Sequence, residues 1–258
     1  MSLFSTSSYI YLGLVLALIV SIILSGVLFY TAKHYYTKAK LAKVFPTHES
    51  YYQQANATLP PKIQKIVVLF GDSRIQEWKK PPQLDGVEFI NRGISGETTA
   101  QNRARFQPDV LALEPDIVIL QTGINDLTVL GVQPQRYEEI VQHCQDNLKF
   151  FVESLRAQQI EVIFLTIFPP AQPELARWLV WNEKISQSVE EINQYWLNLP
   201  ADERLHIIDT TKVLKDTQRQ WHPHVNRDAL HLTPTGYDYL NQALTPVLTA
   251  QFGPESKL

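Results

Sequence analysis

Five positions in this 258-residue chain carry groups that together could cleave an acyl ester. Ser73 closes an apolar run, Ile66 to Phe70, and is the candidate nucleophile. His231 is the candidate general base, and Asp228, three residues earlier, could orient and polarise its imidazole. The negative oxygen of a tetrahedral intermediate needs donors. The Ser73 N–H, the Gly96 N–H and the Asn125 side-chain amide are the candidates, Gly96 because it has no Cβ to keep a substrate away. Losing one such donor typically costs roughly 3–4 kcal/mol of transition-state stabilisation. Ser73 alone would read as a helix cap, since serine is a common first-turn residue after a strand. The Asn125 segment and the Asp228–His231 pair turn the reading toward nucleophilic chemistry.

The neighbouring polar residues read differently. Asp72 and Asp126 are expected to accept hydrogen bonds from nearby backbone amides rather than act as acids in their own right. Arg74 is expected as a solvated helix residue, with contact to a substrate carboxylate or headgroup as the alternative. Cys144 is the only cysteine, so no intrachain disulfide can form, and it falls inside an expected helix, where burial is the natural fate. His222 and His224 flank Pro223 without a carboxylate or thiol at ligand spacing and read as surface histidines. No metal or cofactor is expected. Ser95 lies between glycines, but the chain holds no Gly-x-Ser-x-Gly elbow.

Positioning these groups is the task of an α/β domain. Near-continuous apolar runs at Ile66–Phe70, Val87–Asn91, Ile117–Leu120, Val162–Leu165 and His206–Ile208 alternate with amphipathic segments. The expected helices are Thr98–Leu113 (broken by Pro108), Pro134–Gln158, Glu174–Leu197 and Thr233–Gln251. Strands apolar throughout and separated by helices indicate a parallel sheet covered on both faces. Ser73, the Gly93–Thr99 segment and Asn125 then follow strand ends, and Asp228–His231 precede the last helix, so all converge on one crevice at the carboxyl edge.

A net charge of −3 argues against a nucleic-acid binder, and 45% apolar residues describe a chain with a real core. Residues 1–32 carry no charged side chain, and Ile10–Phe29 is long enough to cross a hydrocarbon core of roughly 30 Å. The organisation expected is a transmembrane anchor at 1–32, a juxtamembrane segment and linker at 33–61, and the α/β domain at 62–258. Thr31–Lys43 reads as a solvated, membrane-proximal helix, and Phe45–Lys62 as a tether. The lysines after the span, Lys33, Lys38, Lys40 and Lys43, weakly favour a cytoplasmic domain by the positive-inside rule. Asn56-Ala57-Thr58 matches a glycosylation sequon, a pattern common by chance.

Four blocks in order give the sequence a resemblance: Gly71-Asp72-Ser73, Gly93-Ile94-Ser95-Gly96-Glu97-Thr98, Gly123-Ile124-Asn125-Asp126, and Asp228-Ala229-Leu230-His231. The chain resembles the SGNH, or GDSL-type, hydrolases. That resemblance implies a flavodoxin-like three-layer α/β/α sandwich with a Ser73–Asp228–His231 triad. It also implies an oxyanion hole of Ser73, Gly96 and Asn125, with Gly96 rather than Gly93 as the second-block glycine. The function expected is a serine esterase acting through an acyl-enzyme on a small-molecule ester, a lipid or an acylated glycan. An acyltransferase and a membrane-tethered, non-catalytic binding protein are the alternatives. Arg74 departs from the family pattern, in which a small or apolar residue commonly follows the serine.

Overall fold

A computed structural model describes residues 6–44, 51–59, 64–200 and 202–252 of the chain. The chain divides into two compact units, Met1–Thr47 and His48–Leu258.

The first unit is a single helix, α1, Thr6–Val44. The expected membrane-proximal helix at Thr31–Lys43 is its continuation, since residues 6–44 contain no proline to interrupt it. Its stretch Tyr9–Tyr35 is long and apolar enough to cross a membrane, with none of it buried against protein. Leu14, Leu18, Ile22 and Leu28 are all exposed. By length and composition α1 fits a membrane anchor or a signal sequence.

The second unit is built on five parallel strands in the order β2-β1-β3-β4-β5. They are β1 Lys65–Gly71, β2 Val87–Gly93, β3 Ile117–Gln121, β4 Glu161–Leu165 and β5 Leu205–Ile208. This is the flavodoxin-type order, in which the chain starts mid-sheet and the crevice opens beyond the carboxyl ends of β1 and β3. Alternation along each strand makes two apolar layers. Val68, Phe70, Val118, Leu120, Val162 and Phe164 face one core with Phe106, Leu148, Phe151 and Trp196. Val67, Leu69, Ile117, Ile119, Ile163 and Leu165 face the other with Trp78, Leu240, Leu244 and Leu248. The first layer is covered by α4 Thr99–Asp109, α6 Tyr137–Ala157 and α7 Glu183–Leu197. The second is covered mainly by α9 Pro234–Phe252. Short helices complete the unit: α2 Gln53–Ala57, α3 Ser73–Gln76, α5 Ile124–Leu127 and α8 Thr210–Leu214.

Helix ends follow local chemistry. Thr98 and Gln101 form a reciprocal capping box at the start of α4. The helix stops at Asp109, one residue after Pro108, where a break is expected, and Leu111–Leu113 is a separate 3-10 turn. The expected helix from Glu174 to Leu197 is two elements. Leu175–Val180 is a 3-10 turn, Trp181 is extended, and the Asn182 side chain accepts from the Lys184 N–H to start α7 afresh. Similarly, Pro134–Arg136 is a 3-10 turn ahead of α6.

Residues 51–59, expected as part of a tether, pack onto the α/β unit. The Tyr52 hydroxyl donates to the Gly93 carbonyl at 2.7 Å, and the Asn56 amide donates to Asp109 at 3.1 Å. The rest of that tether, residues 45–50 and 60–62, lies outside the described residues.

Candidate active site

β1 delivers Ser73 to the crevice through a tight junction. A Cβ on Gly71 would sit 1.8 Å from the Gln121 carbonyl oxygen of β3, so only glycine allows β1 and β3 to close up there. Asp72 then caps α3, its Oδ1 accepting from the Arg74 N–H at 2.9 Å. Ser73 is the first residue of that helix, where an N–H has no partner within the helix. Asp72 is fully buried, and burial pushes its carboxyl up to about 6, opposed by the Arg74 charge and N–H.

The Ser73 hydroxyl lies 3.0 Å from His231 Nε2. On the far side of the ring, Nδ1 lies 2.8 Å from Asp228 Oδ2. Asp228 Oδ1 also accepts the backbone N–H groups of Leu230 at 2.8 Å and His231 at 2.9 Å, folding the loop around its own carboxylate. Partial burial works against that charge, but the Leu230 N–H and the His231 ring outweigh it and hold Asp228 down to about 2. A carboxylate so fixed favours the tautomer with a proton on Nδ1, leaving Nε2 free to accept from Ser73.

The donor side is assembled from β2 and β3. Gly96 has φ +80° with open space where a Cβ would be, so its conformation rather than crowding calls for glycine. Among the described residues its N–H donates to no backbone acceptor. Asn125, in α5, donates one amide hydrogen to the Glu97 carbonyl at 2.9 Å, which ties it to the Gly96 loop and leaves a second hydrogen. Asp126 accepts from the Thr99 N–H at 2.9 Å and the Thr99 hydroxyl at 2.6 Å, joining β3 to the start of α4. Asp72 and Asp126 thus both accept from backbone amides, as their positions suggested.

Several supporting residues were not apparent from the sequence. Beneath the Gly96 loop lies an ion cluster with no exposed side chain. Arg105 Nε donates to Glu97 at 2.6 Å, Nη1 to Asp109 at 3.1 Å, and Nη2 to the Gly71 carbonyl at 3.1 Å. The four-residue spacing of Arg105 and Asp109 on one helix was the available signal. Arg74 corrects its expectation outright. It is 1% exposed, and its guanidinium is turned inward on backbone carbonyls, because the first turn of α3 faces the loop that carries His231. Glu174 was missed too: its carboxylate accepts from the Ala229 N–H at 2.7 Å.

The remaining candidates stay outside the site. Cys144 is buried, and that burial raises its thiol well above the ordinary range. His222 stacks on the Tyr239 ring at 4.5 Å, and His224 is exposed. No cluster of three metal-ligating side chains occurs among the described residues. A cavity of about 630 Å³ lies beyond the carboxyl ends of β4 and β5, lined by Pro169, Val189, Asp209 and Lys215 and by none of the five site candidates.

Residues 69–239, more than half the chain, match the model of the GDSL-like lipase/acylhydrolase family. The chain belongs to that family. Among solved structures, a GDSL-like lipase from Bacteroides thetaiotaomicron matches this family member with a TM-score of 0.62. The match covers 79% of this chain and 98% of that one at 23% identity, a likeness of fold. Over 119 residues this GDSL-like chain is 32% identical to the uncharacterized lipoprotein YqeF of Bacillus subtilis, covering 40% of this chain and 48% of that protein. Over 46 residues it is 46% identical to an acetylxylan esterase of Geobacillus stearothermophilus, covering 18% and 20% respectively. The chain therefore spans about half of the first relative and a fifth of the second.

Proposed function

We propose that this GDSL-like acylhydrolase is a serine esterase in which Ser73, His231 and Asp228 act as a catalytic triad on carboxylic esters. The observation that carries the reading is the unbroken chain from the Ser73 hydroxyl through both nitrogens of His231 to Asp228, at 3.0 and 2.8 Å. In the proposed mechanism the Ser73 Oγ attacks the acyl carbon while His231 Nε2 takes its proton. The Ser73 N–H, the Gly96 N–H and the free Asn125 amide hydrogen stabilise the resulting oxyanion. Nε2 then returns the proton to the departing alcohol, and water attacks the acyl-enzyme by the same route in reverse. Asp228 remains ionised throughout, in keeping with a carboxyl held down to about 2.

Small-molecule or glycan esters carrying short acyl groups are the substrates proposed. Partial similarity to an acetylxylan esterase supports them. The hydrolytic domain is taken as residue 62 onward together with 51–59, and α1 as its membrane anchor. The test uses the full-length chain in detergent. It should hydrolyse p-nitrophenyl acetate, and Ser73→Ala should lose about 1,000-fold or more of that turnover while keeping its melting temperature. Wild-type turnover in Ser73→Ala would overturn the reading.

A further inference from the structure

Arg74 holds a cation where burial disfavours one, with the Asp72 charge nearby as partial compensation. It immediately follows Ser73, it is 1% exposed, and burial lowers its guanidinium to about 10. A methionine or leucine would fill comparable volume without desolvating a cation, so the charge carries a cost that its contacts must offset. Among the described residues the guanidinium forms no direct ion pair. Nε donates to the Leu230 carbonyl at 2.8 Å and Nη1 to the Phe168 carbonyl at 3.1 Å. Its plane lies over the Phe168 ring at 4.9 Å, and Nη2 has no hydrogen-bond partner among the described residues.

Leu230 is the residue before His231, so its carbonyl belongs to the peptide unit that carries the His231 N–H. That N–H donates to Asp228 Oδ1 at 2.9 Å. One peptide plane is therefore pinned at its oxygen by Arg74 and at its nitrogen by Asp228. The plane sets where the His231 Cα sits, and the Cα sets where Nε2 meets Ser73. From the other direction, the Arg74 backbone is pinned by its N–H to Asp72 Oδ1 and by its carbonyl, which accepts from the Tyr237 hydroxyl at 2.7 Å. A single residue thus joins the turn bearing Ser73 to the loop bearing His231.

We propose that Arg74 is a positioning residue that sets the Ser73–His231 separation, acting through the Leu230–His231 peptide. The proposal rests on the triad reading above. A residue that merely filled space would be replaceable by methionine. A positioning residue would not be, because a misplacement of about 1 Å between reacting groups can cost on the order of 100-fold in rate.

The experiment compares Arg74→Met, Arg74→Lys and Tyr237→Phe in the full-length chain. It measures kcat and KM on p-nitrophenyl acetate, the rate of fluorophosphonate labelling at Ser73, and the melting temperature. Arg74→Met is expected to lower kcat and the labelling rate together, by about 100-fold, with KM within about threefold of wild type. Arg74→Lys keeps one donor toward Leu230 and should recover about tenfold of that loss. Tyr237→Phe removes one pin on the Arg74 backbone but leaves the guanidinium in place, so it should lower the melting temperature and cost less kcat than Arg74→Met does. If Arg74→Met fails to fold, the labelling rate of Arg74→Lys decides, and a rate equal to wild type overturns the proposal. Wild-type kcat in a folded Arg74→Met also overturns it, as does an equal kcat loss in Tyr237→Phe. Ser73→Ala keeps the two readings apart. Persistent turnover there removes the triad itself, whereas a silent Ser73→Ala beside a fully active Arg74→Met removes only the role of Arg74.

Discussion

The two walls of the crevice are held in opposite ways. The wall bearing Gly96 and Asn125 rests on a fully buried charge cluster, Glu97–Arg105–Asp109, that also grips the Gly71 carbonyl at the end of β1. The loop bearing Asp228 and His231 is half exposed. It is held by its own backbone amides on Asp228 and by single side chains reaching in, Arg74 on the Leu230 carbonyl and Glu174 on the Ala229 N–H. The first wall is continuous with the core, so damage to it is damage to the fold. The second packs Ala229 and Leu230 into the core, but its polar groups are fastened by hydrogen bonds around Asp228, so those polar groups can be changed with the core left standing. The same surroundings shift two aspartates in opposite directions, Asp72 up to about 6 and Asp228 down to about 2.

The sharpest way to expose the contrast is Asp228→Asn. The amide preserves shape but no longer fixes the tautomer that leaves Nε2 free to accept. In the proposed mechanism kcat should fall by about 10,000-fold, with a melting temperature within a few degrees of wild type. Steady-state kinetics beside calorimetry would check this, and a large stability loss with modest kinetic loss would erase the distinction between the walls.

Arg105→Met should do the reverse. It leaves Glu97 and Asp109 buried without their cation, which typically costs 3–5 kcal/mol, or roughly 10 °C or more of melting temperature for a domain of this size. Thermal melting is the readout, and a variant as stable as wild type would show that the cluster is not what supports this wall.

These two walls were also unequally legible in the sequence. The blocks that end at Ser73, Gly96, Asn125 and His231 were readable because strand ends in a parallel sheet must converge, and because each carries a residue type that ester hydrolysis requires. The sheet was readable for a related reason: strands buried on both faces, such as Ile117–Leu120, admit no polar alternation. What supports the site was not readable. Arg74 follows Ser73 at the start of a short helix, and no local pattern says that this turn faces the His231 loop rather than water. Glu97 and Arg105 look like any exposed charges until α4 is docked against β1. The stretch from Glu174 to Leu197 carries enough apolar residues to suggest one helix, yet Leu175 is 85% exposed and Trp178 71% exposed, and the helix that packs on the core begins only at Glu183. Tertiary docking decides all of these.

Acid titration tests the opposed aspartates. Asp228, lowered in the fold, contributes stability that is present above its unfolded value near 3.9 and is lost as pH falls toward about 2. Solvent screening limits that contribution to about 1 kcal/mol. Asp72, raised in the fold, has the opposite sign. The folded state binds the extra proton between its unfolded value and about 6, so this group lowers stability as pH rises through that interval. The effect is on the order of 2–3 kcal/mol. Asp72→Asn should flatten the fall in melting temperature between pH 4 and pH 7, whereas Asp228→Asn should leave that interval unchanged. An identical profile for Asp72→Asn and wild type would mean that Asp72 does not titrate there.

The smallest effect is expected where the segment before the sheet meets the buried cluster. Asn56 donates to the Asp109 carboxylate at 3.1 Å and to the Pro108 carbonyl at 3.0 Å, and its side-chain oxygen accepts from Arg92. Asp109 keeps its bond to Arg105 when Asn56 is removed, so the charge cluster stays compensated. Asn56→Ala should therefore cost about 1–2 kcal/mol, the ordinary range for lost side-chain hydrogen bonds, with kcat unchanged within about twofold. Denaturant unfolding beside ester hydrolysis would measure both. A loss as large as that of Arg105→Met would mean that residues 51–59 are as much a part of the wall as α4. The same geometry disfavours the sequon at this position, since a glycan would replace one Asn56 amide hydrogen and break one of its two donated bonds.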